Sequence, residues 1–127
     1  MLIIQESPTT PYIKLDSEEC TLTIIGKSYP EYSTMFYEPI LKEIEKCRDK
    51  LIDKKIIIKV SLEILNSIST KYLFHLMKII YQSSNEMQVS WYYEEDDECM
   101  REEGKYFKSF FPKSDFRLIG VEDLREI

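Results

Sequence analysis

The stretch from Lys54 to Tyr81, KKIIIKVSLEILNSISTKYLFHLMKIIY, constrains the fold more than any other part of the chain. It reads as an apolar strand, a short polar loop and an amphipathic helix. Ile56, Ile57, Ile58 and Val60 form a β-branched run too continuous for a strand with one wet face. The sequence therefore predicts a strand between two neighbours, covered by helices on both faces. From Leu73 the apolar residues fall at Leu73, Leu76, Met77 and Ile80, the i, i+3, i+4, i+7 spacing of a helix with one buried stripe. Lys71, His75, Lys78 and Gln82 mark its wet side.

Between strand and helix lie Asn66, Ser67, Ile68, Ser69, Thr70 and Lys71, and this loop is the candidate site. Ser, Thr and Asn are preferred helix caps because their side chains accept from backbone N–H groups that have no intrahelical partner. One reading is thus purely structural. The other uses the same geometry: a helix N-terminus offers free donors and roughly half a unit of positive charge, so a phosphate added to a serine there is held by groups already in place. The two readings are compatible.

On either side the chain alternates strands and helices. Tyr12 to Leu15 and Thr21 to Ile25 read as antiparallel strands joined by the polar turn Asp16 to Glu19. Gly26 ends the second. Ser28, Tyr29, Pro30 and Glu31 lead into a helix with Phe36, Ile40, Ile44, Cys47 and Leu51 along one side, irregular before Ile40 because Pro39 lacks an N–H and crowds the preceding turn. Tyr29 and Pro30 read as a rigid lead-in turn, a binding role being the alternative. Gln88 to Tyr93 reads as a strand parallel to the Ile56 strand, since a helix between two strands is the usual crossover. Cys99 to Phe110 follows as a helix burying Met100 and Phe107, with Phe111 beside them, weakened by Gly104 and stopped by Pro112. Phe116 to Ile119 supplies a last strand. The element order ββαβαβαβ implies an α/β fold: one domain over residues 1–127, a mixed sheet of about five strands covered by three main helices.

Several function classes are disfavoured. A net charge of −6 and a pI near 4.9 oppose nonspecific nucleic-acid binding, which needs a basic surface. Cys20, Cys47 and Cys99 are odd in number and contain no CxxC pair, so neither a disulfide framework nor a zinc site is expected. The N-terminus has no basic leader, and no apolar run approaches the ~20 residues that span a bilayer. A reduced, cytoplasmic protein away from membranes fits. Glu94, Glu95, Asp96, Asp97 and Glu98 invite a hard cation, but the EF-hand glycine and distal glutamate are missing; a solvated acidic helix start is expected, and no metal. The only histidine, His75, falls on a polar face among lysines, leaving a nucleophile without a base. With three glycines and no phosphate-binding fingerprint, the chain is expected to be a kinase's substrate and not a kinase, with no catalytic residue and no cofactor.

Three blocks carry a family resemblance. Leu65, Asn66, Ser67, Ile68, Ser69, Thr70, Lys71 is similar to the Leu-Asn-Thr/Ser-Ser-Ser-x-Lys segment of the SiaC-type regulatory phosphoproteins, relatives in fold of the STAS anti-sigma-factor antagonists. Gly26 to Glu31, with Phe36, Tyr37, Glu38, Pro39 and Ile40, resembles the family's Gly-x-Ser-Tyr-Pro-Glu and Phe-Phe-x-Pro-Ile pattern. Trp91, Tyr92 and Tyr93, followed by Asp96, Asp97 and Glu98, resembles its Trp-Tyr-Tyr and acidic run. Ile68 departs from it, standing where the family usually has a second small hydroxyl residue. The resemblance implies a STAS-like fold and a partner switch in cyclic di-GMP and biofilm signalling. In it the unphosphorylated form binds and activates a diguanylate cyclase, a serine/threonine kinase modifies the loop, and a PP2C-type phosphatase reverses it. Carried across residue by residue, the phosphoacceptor falls on Ser67, with Ser69 and Thr70 in reserve. The alternative is a STAS-like module that binds a small ligand or lipid beside the same loop without phosphorylation.

Overall fold

The computed structural model describes residues 1–127, the side chain of Glu126 excepted. Six strands run β1 (Leu2–Ile4), β2 (Tyr12–Asp16), β3 (Thr21–Ser28), β4 (Lys55–Leu65), β5 (Glu86–Glu94) and β6 (Asp115–Val121). The helices are α1 (Ser33–Lys46), the short α2 (Arg48–Leu51), α3 (Ser67–Ser83) and α4 (Glu98–Phe110), and a 3-10 turn spans Leu124–Glu126. The strands lie side by side in sequence order in one sheet. β1, β2 and β3 pair antiparallel, and β3, β4, β5 and β6 pair parallel, so the sheet is mixed as expected. β1 is the strand beyond the expected five, an edge piece of three residues whose Ile3 pairs with Lys14.

β4 lies between β3 and β5, but α-helices cover only one of its faces; the 3-10 turn at Leu124 reaches part of the other, near the buried Ser61. Ile56, Ile58, Val60 and Leu62 are buried, while Ile57 between them is 42% exposed and Lys59 half-buried. The cause is topological. The three crossovers β3-α1-β4, β4-α3-β5 and β5-α4-β6 all step the same way along the sheet, and each is right-handed by the usual rule. They place α1, α3 and α4 on the same side; covering both faces needs a reversal of strand order. The β-branched run at Ile56 to Ile58 thus reflects strand preference as well as burial.

The covered face holds the core. Leu22, Ile24, Ile58, Val60, Val89 and Trp91 from the sheet meet Ile40, Ile44, Leu73, Leu76, Met77 and Phe107 from the helices. Each side chain of this size that leaves water contributes about 1.5–3 kcal/mol. α1 runs unbroken through an exposed Pro39, and Tyr37 takes the core place expected for Phe36, which is half-buried. The helix that was expected to continue to Leu51 is interrupted at Cys47 and resumes as α2. Gly104 is a requirement of packing and not a weakness: a Cβ there would lie 2.6 Å from Trp91 Cδ1 and 2.5 Å from Leu118 Cδ2. Its absence lets α4 approach until the Trp91 indole N–H donates to the Met100 carbonyl at 3.1 Å. Among the described residues no helix is long and apolar enough to cross a membrane.

Candidate functional site

The stretch Asn66 to Lys71 is not an open loop. β4 ends at Leu65, Asn66 caps α3, and Ser67, Ile68, Ser69, Thr70 and Lys71 form the helix's opening residues. The cap explains the early start. Asn66 is extended, its side-chain oxygen accepts from the Ser69 N–H at 2.8 Å, and its carbonyl accepts from the Thr70 N–H and hydroxyl at 2.9 and 3.0 Å. The Asn66 N–H donates to the Ser28 carbonyl at 3.1 Å, which fixes the turn to the end of β3. Among the described residues, the N–H groups of Ser67 and Ile68 have no protein acceptor, as the first donors of a helix do.

The three hydroxyls at this turn have different surroundings. Ser67 is exposed, at the first helical position. Thr70 is half-buried, with its hydroxyl committed to Asn66. Ser69 is fully buried and accepts from Ser28 Oγ at 2.8 Å; Ser28 Oγ in turn hydrogen-bonds the Tyr37 hydroxyl. This buried chain of three hydroxyls ties together β3, α1 and α3. Burial pushes the Tyr37 phenol above its ordinary pKa, and the bonds to Ser28 and Ser69 offset part of that rise. Tyr37 stacks on Tyr72 with ring centroids 5.0 Å apart, and the Tyr72 hydroxyl meets Thr34 Oγ1 at 2.9 Å. The first turn of α3 therefore rests on a rigid polar and aromatic base while Ser67 stands free above it.

Apolar side chains are exposed on the same elements. Ile68 is 53% exposed, Tyr32 and Met35 at the start of α1 are more so, and Ile64 near the end of β4 is also in water. Leu65 is half-buried. On the other side of the turn a groove of about 400 Å³ runs between α3 and α4, lined by Ser67, Lys71, Phe74, Glu103, Tyr106 and Phe110. Tyr29 is partly exposed, with its N–H donating to the Thr9 carbonyl at 2.9 Å, and Pro30 is buried, the arrangement of a structural lead-in turn.

The remaining candidates lie apart. His75 is exposed in a shallow depression with Glu38, Lys42 and Lys46, on the wet side of α3 as expected. Of the acidic run, Glu94 closes β5 and Asp97 caps α4, accepting from the Met100 N–H at 3.0 Å. Among the described residues no three His, Cys, Asp or Glu side chains cluster to hold a metal. Cys20 and Cys47 are buried, Cys99 is exposed, and all three are free thiols. Sequence reasoning missed Ser28 and Tyr37 as the base of the site. A serine among the inward positions of β3, where its neighbours are Leu22 and Ile24, was the available sign.

An α/β sheet that presents an exposed serine on a rooted helix start, flanked by exposed apolar side chains, is suited to regulation through partner binding. The family follows: the model of the SiaC family regulatory phosphoproteins matches residues 4–121, and the chain belongs to that family. Three solved structures share the fold. SiaC in the crystal structure of the diguanylate cyclase SiaD in complex with its activator SiaC from Pseudomonas aeruginosa aligns at TM-score 0.78 and 21% identity, over 94% of this chain and 97% of that one. Apo-SiaC from the same organism aligns at 0.75 and 22%, over 94% and 98%. A third SiaC structure from P. aeruginosa aligns at 0.75 and 21%, over 94% and 96%. No curated protein matches the sequence.

Proposed function

We propose that this chain is a single-domain cytoplasmic phospho-switch that acts by binding and not by catalysis: with Ser67 bare it docks on and activates a diguanylate cyclase, and phosphorylation of Ser67 releases it. Membership of a regulatory phosphoprotein family and the likeness to a SiaC bound to its cyclase support the partner. The observation that carries the site is the contrast of exposure at the turn, with Ser67 in water, Ser69 sealed and Thr70 engaged. A serine/threonine kinase reaches Ser67 without unfolding anything, whereas Ser69 becomes accessible only if the first turn of α3 opens. A PP2C-type phosphatase completes the cycle. The phosphate acts at the docking face, where it adds bulk and about −1.5 to −2 units of charge beside Ile68.

Digestion with trypsin after Lys59 and Lys71 yields one peptide that holds Ser61, Ser67, Ser69 and Thr70. Fragmentation of that peptide from protein treated with the cognate kinase is expected to place the phosphate on Ser67. Phosphate on Ser69 or Thr70 in the folded protein moves the switch along the helix and overturns the assignment. A second reading draws on the groove beside the turn, whose volume suits a small ligand. It requires a stoichiometric small molecule to be released when purified, unmodified protein is denatured, and mass spectrometry of the released fraction tests it.

A further inference from the structure

The groove between α3 and α4 has an electrostatic feature that the phospho-switch does not use. Phe74 from α3 and Tyr106 and Phe110 from α4 line it with aromatic rings; Phe74 and Phe110 meet edge to face at 4.9 Å, as do Tyr106 and Phe110. Set among them, Glu103 buries its Oε2, which has no hydrogen-bond partner among the described residues. The other α4 carboxylates nearby are matched: Glu98 and Glu102 face Arg101 at 3.9 Å, and Glu102 also faces Lys105 at 3.5 Å. Lys71 lines the groove but makes no ion pair within 4 Å among the described residues. A buried carboxylate oxygen without a donor is costly, and the cost is relieved when the half-buried Glu103 side chain turns its carboxylate to a cation in the groove that brings its own N–H groups. A guanidinium fits both features, since it donates to a carboxylate in a planar fork and stacks on aromatic faces.

We propose that this groove is a receptor for an arginine side chain of the docking protein, with Glu103 as the acceptor and Tyr106 and Phe110 as the stacking surface. The inference deepens the partner-binding reading and rests on it. It adds a second contact point to the docking face, since Ser67 lines the same groove. The chain's net charge of −6 favours a cationic side chain over an anionic one as the occupant.

The test uses the full unphosphorylated chain and N-acetylarginine amide as the probe, followed by amide NMR shifts, with N-acetyllysine amide and N-acetylnorleucine amide alongside. Saturable shifts confined to the backbone around Ser67, Lys71, Tyr106 and Phe110 are expected for the arginine probe. They are expected to weaken about tenfold in Glu103→Gln, which keeps the side chain's size, and to weaken also in Tyr106→Leu. Equal binding of the norleucine probe, undiminished binding to Glu103→Gln, or shifts spread over Glu98 and Glu102 overturns the assignment. Binding that emerges only in Lys71→Ala overturns it too, by showing that Lys71 fills the groove itself. The probe carries neither phosphate nor cyclase, so a negative titration removes the arginine site and leaves the Ser67 switch to its own experiment.

Discussion

Two helices, α3 and α4, begin at the same edge of the sheet, each directly after a parallel strand, and their first turns are built for different ends. Both use a side-chain oxygen to cap the N–H three residues on: Asn66 for Ser69, Asp97 for Met100. α4 then adds Glu98 in its first turn, so its cap and first turn already carry two negative charges against the helix dipole. The first turn of α3 has no acid; its cap is neutral and its hydroxyls carry no charge. An anion arriving at α4 meets like charge, and one arriving at α3 meets unopposed donors. The helices are also seated differently. α4 lies close on Trp91 through Gly104, while α3 is held by the Ser69–Ser28–Tyr37 hydroxyl chain. Cap grammar alone makes the two starts look alike. What separates them is the charge left unspent.

The largest expected effect separates two serines two residues apart and opposite in exposure. Ser69→Asp places a carboxylate at a fully buried position and is expected to cost several kcal/mol, enough to unfold much of the protein in a urea titration. Near-normal stability there would show that the turn opens readily and that Ser69 is as available as Ser67. Next comes the seat of α4. Gly104→Ala forces a methyl against Trp91 and Leu118 and is expected to cost about 1–3 kcal/mol by the same titration, with loss of the Trp91 near-UV signal. The caps come third. Asn66→Ala and Asp97→Ala are each expected to lose about 1 kcal/mol, but added phosphate ion at low salt should recover stability in Asn66→Ala, whose helix start carries no acid, and not in Asp97→Ala, where Glu98 remains. Equal recovery in the two variants would erase the distinction between the two starts.

The smallest effect is alkaline. Because the Tyr37 phenol is raised by burial above its ordinary value of 10.0, the unfolded chain loses that proton first. Its contribution to stability is whole below that value and is lost as pH rises through the folded pKa. Tyr37→Phe is expected to flatten the alkaline fall in stability, at the cost of leaving Ser28 one bond short. An unchanged alkaline slope would mean that the base beneath α3 is wetter than its burial indicates.

The fold was largely legible because its signals are local. The periodicity of Leu73, Leu76, Met77 and Ile80 marked the buried stripe of α3, and the antiparallel pair and the parallel crossover followed from strand spacing and turn residues. What local pattern could not give was the open face at Ile57. Strand order decides which side the helices take, and a β-branched triplet reads the same in a one-sided or a two-sided sheet. Gly104 misled for a related reason: propensity counts its cost to the helix, and only Trp91 and Leu118, brought in from β5 and β6, show its use. A helix start among Asn66 to Lys71 was legible from cap grammar. The seal on Ser69 was not, because Ser28 lies 41 residues away in sequence.

On the proposed mechanism, charge added at the exposed Ser67 hydroxyl of α3 leaves the fold intact and dismantles the interface. A phosphate at Ser67 sits at the favourable end of the helix, worth about 0.3–1 kcal/mol near the surface, so the melting temperature should hold or rise slightly. Burying it against a partner that packed on the bare hydroxyl would cost several kcal/mol, and each ~1.4 kcal/mol is tenfold in affinity. The direct measurement is calorimetric titration of the cognate diguanylate cyclase with chain phosphorylated stoichiometrically at Ser67 and with unmodified chain. An affinity lowered about a hundredfold or more, at an unchanged melting temperature, is the predicted result. Equal affinity of the two forms would contradict the switch.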